Sequence, residues 1–232
     1  MNRVILSAST DETILAVTRQ HKLVDLEIEQ QINTEIVGCI YKGVVKNIVP
    51  AVDGIFVDIG IGKNAFLRRK DLLNEKRFPT EGSPILAQVI KSDTDMKGAL
   101  ITEKISMFGK YAVTLSGTGY IGVSKKIRQE SVRKRLKEIG KEICAEHMGL
   151  IIRTAAENAD MDEFRKDITR LKENWDIIQK RFRMEKSPTL LYRESDIIVK
   201  ALRDYVNKGT EILITDNRKI YERICKLNES EH

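Results

Sequence analysis

The chain has 232 residues, 41% hydrophobic and 32% charged, a balance that buries a core and leaves a strongly charged surface. Lysine and arginine number 40 against 34 acids, a net charge of +6, which excludes an acidic disordered tail and permits a polyanionic partner. No apolar run approaches the roughly 18 residues of a membrane span.

In chain order, the first half predicts strands. Residues 4–6 and 13–17 are short β-rich runs, and residues 26–29 alternate apolar and charged as a half-buried strand does. A polar stretch at 30–35 precedes five candidate strands at 36–49, 54–58, 65–67, 85–91 and 99–102. Gly43, Gly54, Gly60, Gly62 and Gly98 punctuate them, as expected of a small, strongly bent barrel.

The second half predicts helices. Val132, Leu136, Ile139 and Ile143 fall on one helical face. Phe164, Ile168, Leu171, Trp175, Ile178 and Phe182 do the same over residues 162–183, with Asp160 and Glu163 placed as a capping box and Pro188 as a stop. A third helix is expected near 195–207, with Ile198, Leu202 and Tyr205 inward and Gly209 at its end. A buried strand at 211–215 and a helix at 218–227 close the chain as an α/β unit.

Three segments carry candidate chemistry. Phe56 and Phe66 fall on neighbouring barrel strands, where they are either core residues or platforms on which bases stack; Lys42, Lys46, Arg68, Arg69 and Lys97 could hold phosphates beside them. Residues 120–153 hold nine lysines and arginines against four glutamates, either a phosphate-binding stripe or a solvated helix face. An apolar strand at 149–152 ends in Arg153-Thr154, a guanidinium fork beside a hydroxyl that could grip a terminal phosphate.

Catalytic patterns are missing. His21, His147 and His232 have no evident nucleophile, and Asp196, Asp204 and Asp216 lack metal-site spacing. Asp162 and Asp167 read as cap or surface residues. No P-loop or nucleophile elbow is present. Cys39, Cys144 and Cys225 are scattered, which points to free thiols in a reducing cytosol, and residues 1–7 are too short an apolar start for a signal peptide.

Six blocks in order resemble the N-terminal half of the ribonuclease E/G family of bacterial endoribonucleases. They are Ile40-Tyr41-Lys42-Gly43, Phe56-Val57-Asp58-Ile59-Gly60, Lys97-Gly98-Ala99-Leu100-Ile101-Thr102, Gly122-Val123-Ser124-Lys125-Lys126-Ile127, Gly149-Leu150-Ile151-Ile152-Arg153-Thr154-Ala155 and Glu211-Ile212-Leu213-Ile214. The resemblance implies a mixed α+β and α/β chain. An RNase H-like α/β subdomain (1–35 and 188–232) would receive two insertions, an S1-like OB-fold RNA-binding barrel (36–110) and a helical 5′-sensor (111–187).

It further implies that Phe56, Phe66 and Lys97 grip single-stranded RNA, with Lys42 beside them, and that Gly109, Val113, Lys125, Arg153 and Thr154 form a pocket for a 5′-monophosphate. Arg153 and Thr154 would hold the phosphate and residues 109–113 would support the terminal base. Lys125 stands where the family often has arginine, keeping the charge and losing the planar fork. The family's DNase I-like domain, with two aspartates that bind Mg²⁺, and its zinc link have no counterpart before His232.

The expected protein is therefore the recognition half of a cytoplasmic, Mg²⁺-dependent bacterial endoribonuclease of rRNA processing and mRNA decay, a homo-oligomer at full length. No catalytic residue and no metal ligand is expected in this chain. The alternative is a non-catalytic S1-domain RNA-binding protein. A complete enzyme in the RNase H-like part would need a carboxylate cluster drawn from Asp11, Glu12, Asp25, Glu27 and Glu29.

Overall fold

Where apolar residues alternate singly the chain forms strands, and where they recur every three to four residues it forms helices. A computed structural model describes residues 2–30, 36–93, 97–144, 148–193, 196–206, 210 and 212–229. The chain opens with β1 (Asn2–Ala8), β2 (Glu12–Arg19) and β3 (Lys22–Gln30). The next strands are β4 (Ile40–Val49), β5 (Gly54–Asp58), β6 (Ala65–Arg68), β7 (Pro84–Lys91) and β8 (Leu100–Thr102).

Three short strands follow, β9 (Ser106–Phe108), β10 (Ala112–Ser116) and β11 (Ile121–Val123), then helix α1 (Glu130–Ile143). Beyond it lie β12 (Met148–Ile152), α2 (Met161–Met184) and β13 (Thr189–Tyr192). The chain ends in α3 (Ile197–Tyr205), β14 (Ile212–Thr215) and α4 (Arg218–Glu229). The expected boundary at Glu35, the cap at Gly209 and the histidines His147 and His232 lie outside the described residues.

The elements sort into two units, Met1–Glu35 with Ser195–His232, and Ile36–Glu194. In the first, the strand order is β14-β1-β2-β3, with β1 antiparallel to β2 and parallel to β14. One face of the sheet packs Val4, Leu6, Leu15 and Val17 against Ile197, Ile198, Ala201 and Ile220 of the helices. Asp196 caps α3 by accepting from the Ile198 and Val199 amides, both at 3.2 Å, and pairs with Arg223 at 2.6 Å. On β3 the large residues Leu26 and Ile28 are exposed.

The second unit contains a closed five-stranded barrel. Its order is β4-β5-β6-β8-β7, and a β7–β4 ladder completes the ring. β5 passes close against β4 at Gly43, where a side-chain Cβ would stand 2.5 Å from Val57 Cγ1. The same unit holds a four-stranded sheet, β11-β12-β10-β9, with α1 and α2 packed on one face through Leu136, Ile139, Phe164, Ile168, Leu171 and Ile178. Asp160 caps α2 as the spacing predicts, accepting from the Asp162 amide at 2.8 Å. Glu163 does not close a capping box; it takes the Tyr111 hydroxyl at 2.5 Å.

The fold is thus α+β, with an OB-like barrel. Three expectations shift. The segment expected to be helical after residue 110 carries its own sheet, and that sheet begins at β9, so the barrel ends with β8 rather than at 110. The boundary expected at 188 lies at 194/195, because β13 pairs antiparallel with β4 and belongs to the second unit.

Candidate nucleic-acid interface

On the barrel, strand alternation sends Ile55 and Val57 of β5 and Ala65 and Leu67 of β6 into the core. Phe56 and Phe66 therefore point outward. They are register partners, half-buried, with ring centroids 5.4 Å apart and planes tilted by 50°. Of the two readings their pattern allowed, the core reading is excluded. Gly54 is what lets the Phe66 ring lie against β5: a Cβ there would sit 2.3 Å from its Cε2 and Cζ.

Gly98 works the same way, since its Cβ would fall 1.9 Å from the Asn64 carbonyl oxygen. Without a side chain, the lead-in to β8 passes against the start of β6, and the Phe66 amide donates to the Ala99 carbonyl at 2.7 Å. Lys97, exposed, stands two residues before that bond.

The barrel cations divide sharply. Lys42, expected to contact RNA, is only 9% exposed. Its ammonium donates to the Phe182 and Glu185 carbonyls at 2.7 and 2.6 Å, at the C-terminal end of α2, and lies 5.0 Å from the Phe182 ring. Lys42 is a helix-end cap, where carbonyls that lack intrahelical donors attract a cation, and it leaves the RNA-binding set. Lys46 pairs with Asp58 at 3.3 Å, Arg68 pairs with Asp71, and Arg69 lies over Phe78 at 4.7 Å.

The second cluster sits where β11 and β12 end side by side. The Ser124 amide donates to the Ile152 carbonyl at 2.8 Å, and the Ser124 and Thr154 hydroxyls lie 3.0 Å apart. Arg153 donates from Nη1 to the Gly109 carbonyl at 2.8 Å, and its amide donates to Tyr111 at 2.8 Å. Gly109, Lys125, Arg153 and Thr154 thus occupy one edge of the sheet, with Lys125 and Thr154 exposed. Val113 lies on β10 within the same sheet.

Three residues that the sequence left unassigned, or read otherwise, hold this edge in place. Asp167, read as a surface or cap residue, is buried; its carboxylate accepts from the Lys110 and Tyr111 amides at 3.2 and 2.8 Å and pairs with Arg170 at 3.0 Å. A Cβ on Gly109 would collide with that carboxylate at 2.4 Å. Burial and the Glu163 carboxylate push the Tyr111 hydroxyl well above the usual tyrosine range. Arg133 donates to the Ser124 and Ile127 carbonyls at 2.7 and 2.9 Å, fixing the turn that carries Lys125. The basic stripe therefore splits: Arg133 is structural, whereas Lys134, Arg135, Lys137 and Lys141 are exposed on α1.

Among the described residues, no three His, Cys, Asp or Glu side chains converge as metal ligands. Asp196 is a cap, Asp204 pairs with Arg203 at 2.9 Å, and Asp216 accepts from the Ser7 hydroxyl at 2.5 Å. Near Asp25 and Glu27 the structure places Tyr205 and Lys200. Each of these described carboxylates is thus engaged by a cation, a hydroxyl or an amide of its own unit. No helix among the described residues is long and apolar enough to cross a membrane.

A barrel with outward aromatics, joined to a sheet edge rich in cations, defines an RNA-binding protein of the S1 type; residues 34–102 match the S1 RNA binding domain. Residues 106–232 match the ribonuclease E/G family, and the chain belongs to that family. It is 32% identical to ribonuclease G of Escherichia coli strain K12, over 96% of this chain and 49% of the relative. Ribonuclease G of Haemophilus influenzae is 31% identical over 97% of this chain and 50% of its own length. Ribonuclease E of Buchnera aphidicola (subsp. Schizaphis graminum) is 31% identical, with 25% of its length covered. The chain spans about half the length of the ribonuclease G relatives it matches.

Proposed function

We propose that the chain is the RNA-recognition portion of a Mg²⁺-dependent endoribonuclease that cleaves single-stranded RNA in rRNA processing and mRNA decay. Phe56, Phe66 and Lys97 hold the strand on the barrel by stacking and charge. Gly109, Val113, Lys125, Arg153 and Thr154 read a 5′-monophosphate in preference to a bulkier triphosphate. Mg²⁺ belongs to catalytic residues outside this chain's donor set. The working protein is a cytoplasmic homo-oligomer.

The observation that carries this reading is the convergence of Arg153, Thr154, Ser124 and the Lys125 turn on one sheet edge, anchored by the bond from Arg153 to the Gly109 carbonyl. A guanidinium beside two hydroxyls offers a phosphate dianion several charge-assisted hydrogen bonds. The test compares oligonucleotides carrying 5′-monophosphate and 5′-hydroxyl ends in fluorescence-polarisation titrations. Arg153→Ala is expected to reduce the preference for the phosphorylated end by about tenfold, the worth of one charge-assisted contact. An unchanged preference ratio sinks the assignment.

A further inference from the structure

The sheet that carries the Arg153 edge has one face under α1 and α2 and a second face that neither helix covers. Four residues stand in register across that second face, one per strand. Phe108 of β9 pairs with Val113 of β10, Val113 with Ile151 of β12, and Ile151 with Gly122 of β11. Their chain neighbours Met107, Ala112, Ile121, Leu150 and Ile152 are buried in the core on the helix side. Alternation thus turns the row outward, with Phe108 at 44% and Ile151 at 39% exposure.

The position on β11 is filled from the side. The Tyr120 ring lies over Gly122, where a Cβ would meet its Cε1 at 2.7 Å, and Tyr120 is 63% exposed. The row therefore reads aromatic, aliphatic, aliphatic, aromatic. Four strands at about 4.8 Å spacing make it about 14 Å wide.

We propose that this open face is a second single-stranded RNA surface, on which Phe108 and Tyr120 stack bases near the 5′ end while Val113 and Ile151 floor the space between them. The occupant follows from what adjoins the row. Gly109, the next residue after Phe108, is the one whose carbonyl Arg153 holds, and Arg153 follows directly on β12. A cationic fork at the margin of an aromatic sheet face suits a base joined to a phosphate, the same arrangement by which other four-stranded sheets bind unpaired RNA. An apolar protein segment would gain nothing from the cations at that margin.

This inference rests on the 5′-end reading above, and its test separates the two. Oligonucleotides with 2-aminopurine as first base, bearing either a 5′-phosphate or a 5′-hydroxyl, are titrated with the full chain. Stacking on Phe108 quenches the 2-aminopurine emission. Phe108→Ala is expected to relieve the quenching and weaken both oligonucleotides about tenfold, leaving their ratio intact. Phe108→Tyr restores both signals, and Phe108→Leu, which keeps apolar area without a ring, does not.

Tyr120→Ala weakens oligonucleotides of three or more residues by a similar factor and spares a dinucleotide. Arg153→Ala has the opposite signature: the ratio collapses while quenching persists. If Phe108→Ala binds and quenches as the parent does, the face does not take RNA and belongs to a protein partner or to none, and the proposal is overturned. Phe108 is on the surface, so circular dichroism of the variant is expected to match the parent's.

Discussion

Phe66 lies against β5 because residue 54 has no side chain, and that dependence is testable. Gly54→Ala places a methyl group 2.3 Å from the ring, so the ring must lift or the strands must part. Overpacking of this kind costs about 1–3 kcal/mol. Urea unfolding is expected to register that loss, and affinity for single-stranded RNA is expected to fall with it. Adding Phe66→Ala to Gly54→Ala should then cost little more affinity, because both changes act on one ring. Full additivity would show that Gly54 serves the fold and not the platform.

At this scale legibility followed the distance over which a partner acts. That Arg153 and Thr154 follow the end of an apolar strand could be read because a strand end is a local feature. The outward turn of Phe56 and Phe66 could not, since a strand's period fixes two faces without saying which is buried. Asp167 did leave a signal: it falls between Phe164 and Leu171 at spacings of three and four, on the buried stripe of α2. A carboxylate on an apolar stripe must find donors, and the Lys110 and Tyr111 amides supply them.

Helix α2 does three different jobs along its 24 residues. Its first turn holds the Tyr111 hydroxyl through Glu163, its second grips the 109–111 turn through Asp167, and its last carbonyls receive Lys42. Lys42→Met keeps the apolar stem and removes the ammonium. Two part-buried carbonyls then lose a charged donor, which is expected to cost about 1 kcal/mol in chemical denaturation. The salt dependence of RNA binding should stay as it was, because the slope counts cations on phosphates. A slope reduced by about one would return Lys42 to the RNA face.

The long helices were legible because a 3.6-residue period repeats many times in them. Strands β9 and β11 were not, at three residues each. So short a strand shows no period and is defined only by its neighbours' hydrogen bonds.

Across the whole molecule, the described cores fall within one unit or the other. The barrel core and the core beneath α1 and α2 draw on residues of the 36–194 unit, and the third core draws on the residues either side of it in sequence. Residues 36–194 alone are expected to unfold in a single cooperative transition and to keep their RNA affinity within about threefold. A non-cooperative melt would show that the inserted unit leans on the outer one. The six sequence blocks revealed the order of the parts, but the 188 boundary was misplaced because β13 takes its partner, β4, from about 150 residues back (Thr189 opposite Lys42).

The same topology sets a timetable for synthesis. Strands β1 to β3 leave the ribosome before the 36–194 unit, and β14, which pairs with β1, leaves only after it. At about 5–20 residues per second, the intervening unit takes about 8–30 s to appear. Through that interval the early meander lacks the helices that bury Val4, Leu6, Leu15 and Val17, and it presents Leu26 and Ile28 as well. The unit begun before the insertion closes only after it, so its three-stranded sheet keeps an uncovered apolar face until α3, β14 and α4 emerge.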